Sequence, residues 1–439
     1  MHVIRMNKRK RALVLCLVGL VSGPCWSEDL LGIYREALGS DAQFSAARSR
    51  AEAGREFAVQ GRAGLLPNIG ASGDTTFNNV DVEGQSSRNF NSNAWGVQLT
   101  QPLYRRQNVV ESRQGTLRSQ RAEIELALAR QDLILRVSDA YFRVLNAQDA
   151  LQAVTTLRTA SAEQLEIART SFEVGTVTIT DVHEAQSRFD LASAQVINAE
   201  SALVVNKQSL AQIIGREADT LARLRPGVQL DAPSPDNPLD WASAAESGGI
   251  GVQLSQLTRD IAAQEVERAR AGHLPTLDLV ARYGQGNRQS LGSGRVDSGA
   301  VGVQLNVPFY TGGALSSRDR ETAALKMSAE ADLDRARRDA VLAAREAFTG
   351  VTSGMAQVKA LEAAEISSNS ALEATRVGFE VGLRINIDVL NALTQLADTQ
   401  RELARSRYET LQAQLRLKAA AGTLDEADVA AINALLENP

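Results

Sequence analysis

Phe172-Glu-Val-Gly175-Thr-Val-Thr-Ile179-Thr-Asp181-Val182 is written a second time, in altered form, as Phe379-Glu-Val-Gly382-Leu-Arg-Ile-Asn-Ile387-Asp388-Val389. The echo runs outward from both segments. Trp95-Gly-Val-Gln-Leu-Thr-Gln-Pro-Leu-Tyr104 returns as Val301-Gly-Val-Gln-Leu-Asn-Val-Pro-Phe-Tyr310, Leu66-Pro67 as Leu274-Pro275, and Ile214-Gly215 as Ala421-Gly422. A period of about 207 residues is far longer than any solenoid repeat, so the chain is one supersecondary unit written twice.

Each copy reads as helix, two strands, a very long helix, a tight turn and another helix. In the first copy, residues 28–224, the expected helix spans 29–63, the strands 67–83 and 88–104, the long helix 107–174 and the return helix 180–213. In the second, 240–424, a helix to 271 is followed by strands 275–289 and 295–310, helix 313–381 and helix 388–421. Arg225-Pro-Gly and Pro233-Ser-Pro-Asp-Asn-Pro238 make residues 225–239 a connector that cannot be helical throughout. A short helix is expected within 425–439.

The long helices carry a heptad seam. Leu133, Ala140, Ala147, Val154, Ser161 and Ala168 share one position, and Val137, Val144, Leu151, Arg158, Leu165 and Phe172 the other. Copy two keeps it with Ala340, Ala347, Gly354, Leu361, Ser368 and Thr375 beside Ala344, Val351, Val358, Leu372 and Phe379. Such a seam predicts a coiled-coil face with closely approaching axes. At 1.5 Å per residue the long helix extends roughly 100 Å. Its length nearly equals that of its two flanking helices together, which predicts a tube wall in which two shorter helices stack end to end along each long one.

The strands alternate. Trp95, Val97, Leu99 and Leu103 oppose Gly96, Gln98, Thr100 and the off-pattern Pro102; Val301, Val303, Leu305, Val307 and Phe309 oppose Gly302, Gln304 and Asn306. Two readings fit: a membrane barrel strand, apolar outside and polar inside, or half of a soluble antiparallel sheet. Four strands cannot close a lipid-embedded barrel, so the first reading requires a barrel shared between chains. Pro67 and Pro275 stand where helix becomes strand, and Pro102 and Pro308 where strand becomes helix, which marks four matched corners between helices and sheet.

Residues 1–27 read as a signal peptide: Arg5, Lys8, Arg9, Lys10 and Arg11 precede the apolar run Ala12 to Val21, too short to span a bilayer. Cys16 and Cys25 both fall inside it, so the mature chain is expected to carry no disulfide. The 47 Lys+Arg fall to about 42 against 52 Asp+Glu, an acidic balance that disfavours nucleic acid as a partner. His183 and His273 stand far apart, and no thiol nucleophile, Gly-x-Ser-x-Gly elbow, P-loop or dinucleotide fingerprint occurs. No enzyme chemistry, cofactor or metal site is expected.

Polar residues gather at the two tight turns. Gly175 and Gly382 suit left-handed helix ends, Thr178 to Asp181 suits a capping box, and Arg384, Asp388 and Asn391 follow the second turn. On residue chemistry alone they either cap two hairpins or line the mouth of a pore. Both readings stand at this point.

The segments Phe172 to Val182, Phe379 to Asn391 and Leu417-Lys-Ala-Ala-Ala-Gly-Thr-Leu-Asp-Glu426 resemble the TolC-type outer-membrane channel proteins, and the resemblance covers about residues 29 to 436. It implies a mainly α fold with transmembrane β structure: a homotrimer in which four strands per chain form a twelve-stranded barrel in outer-membrane lipid, continuous with a long α-helical coiled-coil barrel. The implied function is an exit duct for multidrug efflux and type I protein secretion. Its implied partners are a periplasmic adaptor (a membrane fusion protein) and an inner-membrane transporter of the ABC, RND or MFS type. By the same resemblance Asp388 and Asn391 mark the periplasmic constriction, Asn391 standing where the family has a second carboxylate. Arg384, Thr180 and Asp181 match a latch between the tips, with Phe379 in place of the family's Tyr. Val174, Gly175 and Thr176, with Val381, Gly382 and Leu383, match adaptor-binding tips. The alternatives are a periplasmic coiled-coil scaffold without a pore, or a relative dedicated to one secreted or metal substrate.

Overall fold

The computed structural model describes residues 28–81, 83–84, 86–218, 220–287 and 294–437; the expected signal peptide, 1–27, lies outside them. Nine helices and four strands occur among the described residues: α1 Leu30–Ser40, α2 Ala42–Ala63, β1 Asn68–Val80, β2 Arg88–Tyr104, α3 Arg106–Glu173, α4 Ile179–Ile214, α5 Pro238–Gly248, α6 Ile250–Ala271, β3 Thr276–Asn287, β4 Arg295–Asn306, α7 Ala314–Glu380, α8 Asn386–Ala420 and α9 Glu426–Asn433.

Two of the expected helices are each broken in two. The segment 29–63 stops at Asp41, whose backbone is extended and whose carboxylate accepts from the Phe44 N–H at 2.6 Å. Arg136 of α3 donates two further bonds to it at 2.9 and 3.0 Å, so a residue 95 positions away fixes the bend. The segment 240–271 breaks at Gly249, where a Cβ would meet the Ala245 carbonyl at 2.6 Å and, at 3.4 Å, the Ala420 carbonyl at the end of α8. Strand 295–310 ends early, at Asn306, because β4 is an edge strand and Pro308 has no N–H to continue the ladder.

Asp41 is 5% exposed, and the Arg136 hydrogen bonds hold its carboxyl below the usual value of 3.8 against the opposing effect of burial. Its folded-state pKa is depressed, so its stabilisation is present above pH 3.8 and is lost as pH falls through the lower folded value. Asp41→Ala removes a helix cap and two hydrogen bonds from Arg136, which keeps its pairing with Asp132 at 2.7 Å, an expected cost of about 1–2 kcal/mol. A lower thermal midpoint at neutral pH, converging with wild type in acid, is the result to look for in detergent-solubilised protein.

The seam forms the core of the wall. Leu133, Val137, Val144, Val154, Leu165 and Ala168 of α3 are buried, as are Ala344, Val351, Val358 and Leu372 of α7, while Arg158 and Phe172 stay exposed. Each fully buried Leu or Val contributes on the order of 1.5–3 kcal/mol. Helices α2 and α4 both lie along α3, and α6 and α8 along α7. Arg55 of α2 bonds Glu123 early in α3, and Gln186 of α4 accepts from Arg169 near its end, so the two shorter helices divide its length. Their inner ends meet where Ser40, at the end of α1, donates to the Ile213 carbonyl. There α1, α3, α4, α8, α9 and the segment Ala218–Leu221–Ala222 close one larger core, in which the Tyr141 hydroxyl donates to the Ala222 carbonyl at 2.8 Å.

The strands form one antiparallel sheet in the order β1-β2-β3-β4. The register places Ile69, Leu99, Ala281 and Val301 in one row, with Val97 and Tyr283 beside them, all on one face. Gly70, Gln98, Arg282 and Ala300 form the adjacent row on the other face. Across these rows one side is therefore mainly apolar and the other mainly polar or small, Val280 and Val296 excepted, and β1 and β4 are left as open edges. No described helix is long and apolar enough to cross a membrane.

Candidate functional site

The sequence points to two places, the junction of sheet and helices and the two hairpin tips. At the junction, Pro67 immediately precedes β1 and Pro275 precedes β3, while Pro308 follows β4. Pro102 lies inside β2, opposite Asp278, at a shift of register that ends at Tyr104. Arg105 then turns the chain into α3 and grips Asp278 with two bonds at 2.8 and 2.6 Å, tying the first copy's corner to the start of the second copy's sheet.

At the first tip α3 ends at Glu173. Gly175 takes a positive φ of 76° that its side-chain-bearing neighbours would adopt only under strain. Its N–H donates to the Phe172 carbonyl, and the Thr176 N–H and hydroxyl both donate to the Ser171 carbonyl at 2.9 Å. Thr178 then caps α4 in a capping box: its N–H and hydroxyl each donate to the Asp181 carboxylate at 2.8 Å, and the Asp181 N–H returns a bond. Thr180 is exposed beside it. The second tip repeats the turn with Gly382 at φ 74°, and the Leu383 and Arg384 N–H groups both donate to the Gly378 carbonyl.

Within the chain Arg384 does not reach Thr180 or Asp181. Its guanidinium stands 3.7 Å from its own Asp388, one helical turn on, and both side chains remain partly exposed. Phe379 is half buried, packed on the cluster of Leu157, Ala192, Leu372, Val389 and Leu393 that joins the two hairpins. Val174, Val381 and Leu383 are 70%, 64% and 82% exposed, an apolar rim on both tips.

Two cross-links between the hairpins have no counterpart in the sequence expectations. Buried Asn386, at the start of α8, donates to the Gln164 carbonyl of α3 at 3.3 Å. Arg188 of α4 donates to the Asn391 side chain of α8 at 2.9 Å. Neither pair is close in sequence, and the residues alone carry no sign of which helix faces which. The only available signal was that Asn386 and Asn391, with Asp388 between them, interrupt an otherwise apolar stretch. Asn391 begins an exposed stripe on α8 that continues through Gln395, Asp398 and Glu402, the opposite side from buried Val389, Leu390, Leu393 and Ala397.

The profile of the outer membrane efflux protein family matches residues 33–216 and 251–423, one span in each copy. The outer membrane protein TolC of Vibrio cholerae serotype O1 is 33% identical over 438 residues, covering 98% of this chain and 99% of that one. The proteases secretion protein PrtF of Dickeya chrysanthemi is 32% identical over 446 residues, covering 96% and 94%. Among solved structures, the CmeC outer membrane channel of Campylobacter jejuni superposes with a TM-score of 0.79 at 15% identity, covering 98% of this chain and 97% of that one.

Proposed function

This chain belongs to the outer membrane efflux protein family, and from that premise we propose that three copies assemble into a single exit duct. It works in the outer membrane of a Gram-negative bacterium, as the passage for multidrug efflux and type I protein secretion. The observation that carries this reading is the four-stranded sheet, apolar on one face and open at β1 and β4, continuous with helices of 68 and 67 residues. Open edges are not viable in hydrocarbon. Pairing β4 of one copy with β1 of the next, three times over, removes them all and yields twelve strands with a polar lumen. The helices prolong that lumen into the periplasm.

The duct passes its cargo without chemical change. An inner-membrane transporter of the ABC, RND or MFS type supplies the energy. A periplasmic adaptor docks on the apolar tips formed by Val174, Gly175 and Thr176 and by Val381, Gly382 and Leu383. Similarity to a protease secretion protein supports folded or unfolded polypeptide as cargo beside small molecules. Deleting the gene is expected to sensitise the cell to amphipathic toxic compounds and to empty the medium of type I substrates. A fully soluble periplasmic protein in cell fractionation would sink the duct and favour a scaffold.

The tips form the gate. Asp388 from three copies makes an acidic ring, and Arg384, released from Asp388, latches to Thr180 and Asp181 of a neighbouring hairpin, with Phe379 packing beneath. In planar bilayers Asp388→Ala is expected to lower the cation-over-anion permeability ratio severalfold, and Arg384→Ala to raise single-channel conductance. A cation preference that survives Asp388→Ala removes that residue from the ring.

A further inference from the structure

The constriction contains a charge that the acidic ring does not account for. Arg188 reaches from α4 across to α8, and its partner there is the neutral amide of Asn391. It pairs with no carboxylate among the described residues, unlike Arg169, Arg376 and Arg384 around it. Asn391 lies three residues beyond Asp388 on the same face of the same helix, an axial step of about 4.5 Å. That step is well inside the Debye length of about 8 Å at physiological salt. Among the acids of the first tip, Asp181 is held by its own capping box with Thr178, and Glu184 is exposed one turn before Arg188 without an ion pair to it. Each chain therefore brings Asp388 with Arg384 3.7 Å from it, and a further guanidinium, Arg188, to this turn of the tunnel.

We infer that Arg188 is a selectivity-determining residue of the duct, a cationic ring stacked one turn from Asp388 that restrains cation preference and admits anionic cargo. Asn391 is the positioning residue: its carbonyl oxygen anchors the guanidinium toward the exposed stripe of α8 without neutralising it, which a carboxylate at that place would do. The inference rests on the reading of this tip as the constriction of a pore.

The test compares wild type, Arg188→Gln, Arg188→Lys and Asp388→Asn as purified trimers in planar bilayers under a KCl gradient, reading the K+/Cl− permeability ratio from the reversal potential. Removing one charge per chain at this separation is expected to raise the ratio about threefold in Arg188→Gln. Arg188→Lys, which keeps the charge and changes the fork geometry, is expected to stay near wild type, and Asp388→Asn to shift the ratio the opposite way. Block by hexamminecobalt(III) should strengthen in Arg188→Gln alone. An Arg188→Gln ratio equal to wild type, beside a shifted Asp388→Asn, overturns the inference and leaves the constriction where it is. Equal shifts in Gln and Lys variants overturn it too, since hydrogen-bond geometry rather than charge would then be acting. If neither Asp388→Asn nor Arg188→Gln moves the ratio, the constriction lies elsewhere and both readings fall.

Discussion

Gly115→Val is expected to abolish the folded trimer, although position 115 lies far along α3 from the hairpin tip at Gly175. A Cβ placed on Gly115 would sit 2.4 Å from the Phe57 carbonyl oxygen and 3.3 Å from the Cα of Gly61. A Cβ on Gly61 would in turn meet the Glu111 carbonyl at 2.9 Å. These neighbours are backbone, so no side chain can rotate away; α2 and α3 must separate. Separation by even 1 Å forfeits a large part of the dispersion energy along the contact. Overpacking of this kind costs about 1–3 kcal/mol, against a gain of about 1 kcal/mol when a helical Gly becomes Ala. Gly115→Ala is thus a modest loss, and the larger, β-branched Val a loss of roughly 3 kcal/mol in each of three chains. The contact lies just below the sheet, between the end of α2 and the start of α3, where parting the helices also displaces both strand corners. Gly39→Ala in α1 is the matched control, since nothing lies within 4 Å of a Cβ there, and it should be neutral or slightly stabilising. The measurement is the heating temperature at which the trimer dissociates in SDS gels. A Gly115→Val trimer as heat-resistant as wild type would mean that the close approach is not what sets the α2–α3 spacing.

Local chemistry was legible in the sequence, and long-range pairing was not. Gly175, Gly382 and the Thr178–Asp181 box announce the hairpin tips because helix ends are governed by residues within one turn. The heptads announce the wall because Leu133, Val137 and Val144 recur at a period that only a buried helical face explains. The break at Asp41 was hidden, since the apolar pattern runs on through it and the guanidinium that fixes it arrives from Arg136. The β2–β3 pairing that joins the copies, with Trp95 opposite Gln285, likewise spans a separation that no local signal encodes. The tips were located by sequence, but their internal wiring was not. Arg384 and Asp388 stand one turn apart on the same segment, but Arg188 faces Asn391 because of how α4 packs on α8, and helix packing depends on the whole length of both hairpins.

The identity of the two sheet faces allows the sharpest contrast between neighbouring residues. Val301→Arg is expected to prevent assembly in the membrane, while Ser298→Arg, three residues earlier on the same strand, is expected to be silent. Val301 is 76% exposed in the row of Ile69, Leu99 and Ala281, near the middle of β4. An arginine at the bilayer midplane on the lipid face costs about 2–4 kcal/mol. Threefold repetition raises this to roughly 6–12 kcal/mol per trimer, comparable with the whole stability of an ordinary domain. Ser298 pairs with Gly284 on the other face, where the missing side chain leaves room and the lumen supplies water. The native chain already places Arg282 on that face, beside Gln98 and Ala300, so a guanidinium is tolerated there by the fold itself. Outer-membrane trimer yield reads both variants directly, with Val301→Leu to show that size alone is harmless. Loss of Ser298→Arg with survival of Val301→Arg would invert the sheet. Arg282 would then face hydrocarbon in three copies at once, and the barrel proposed here could not close.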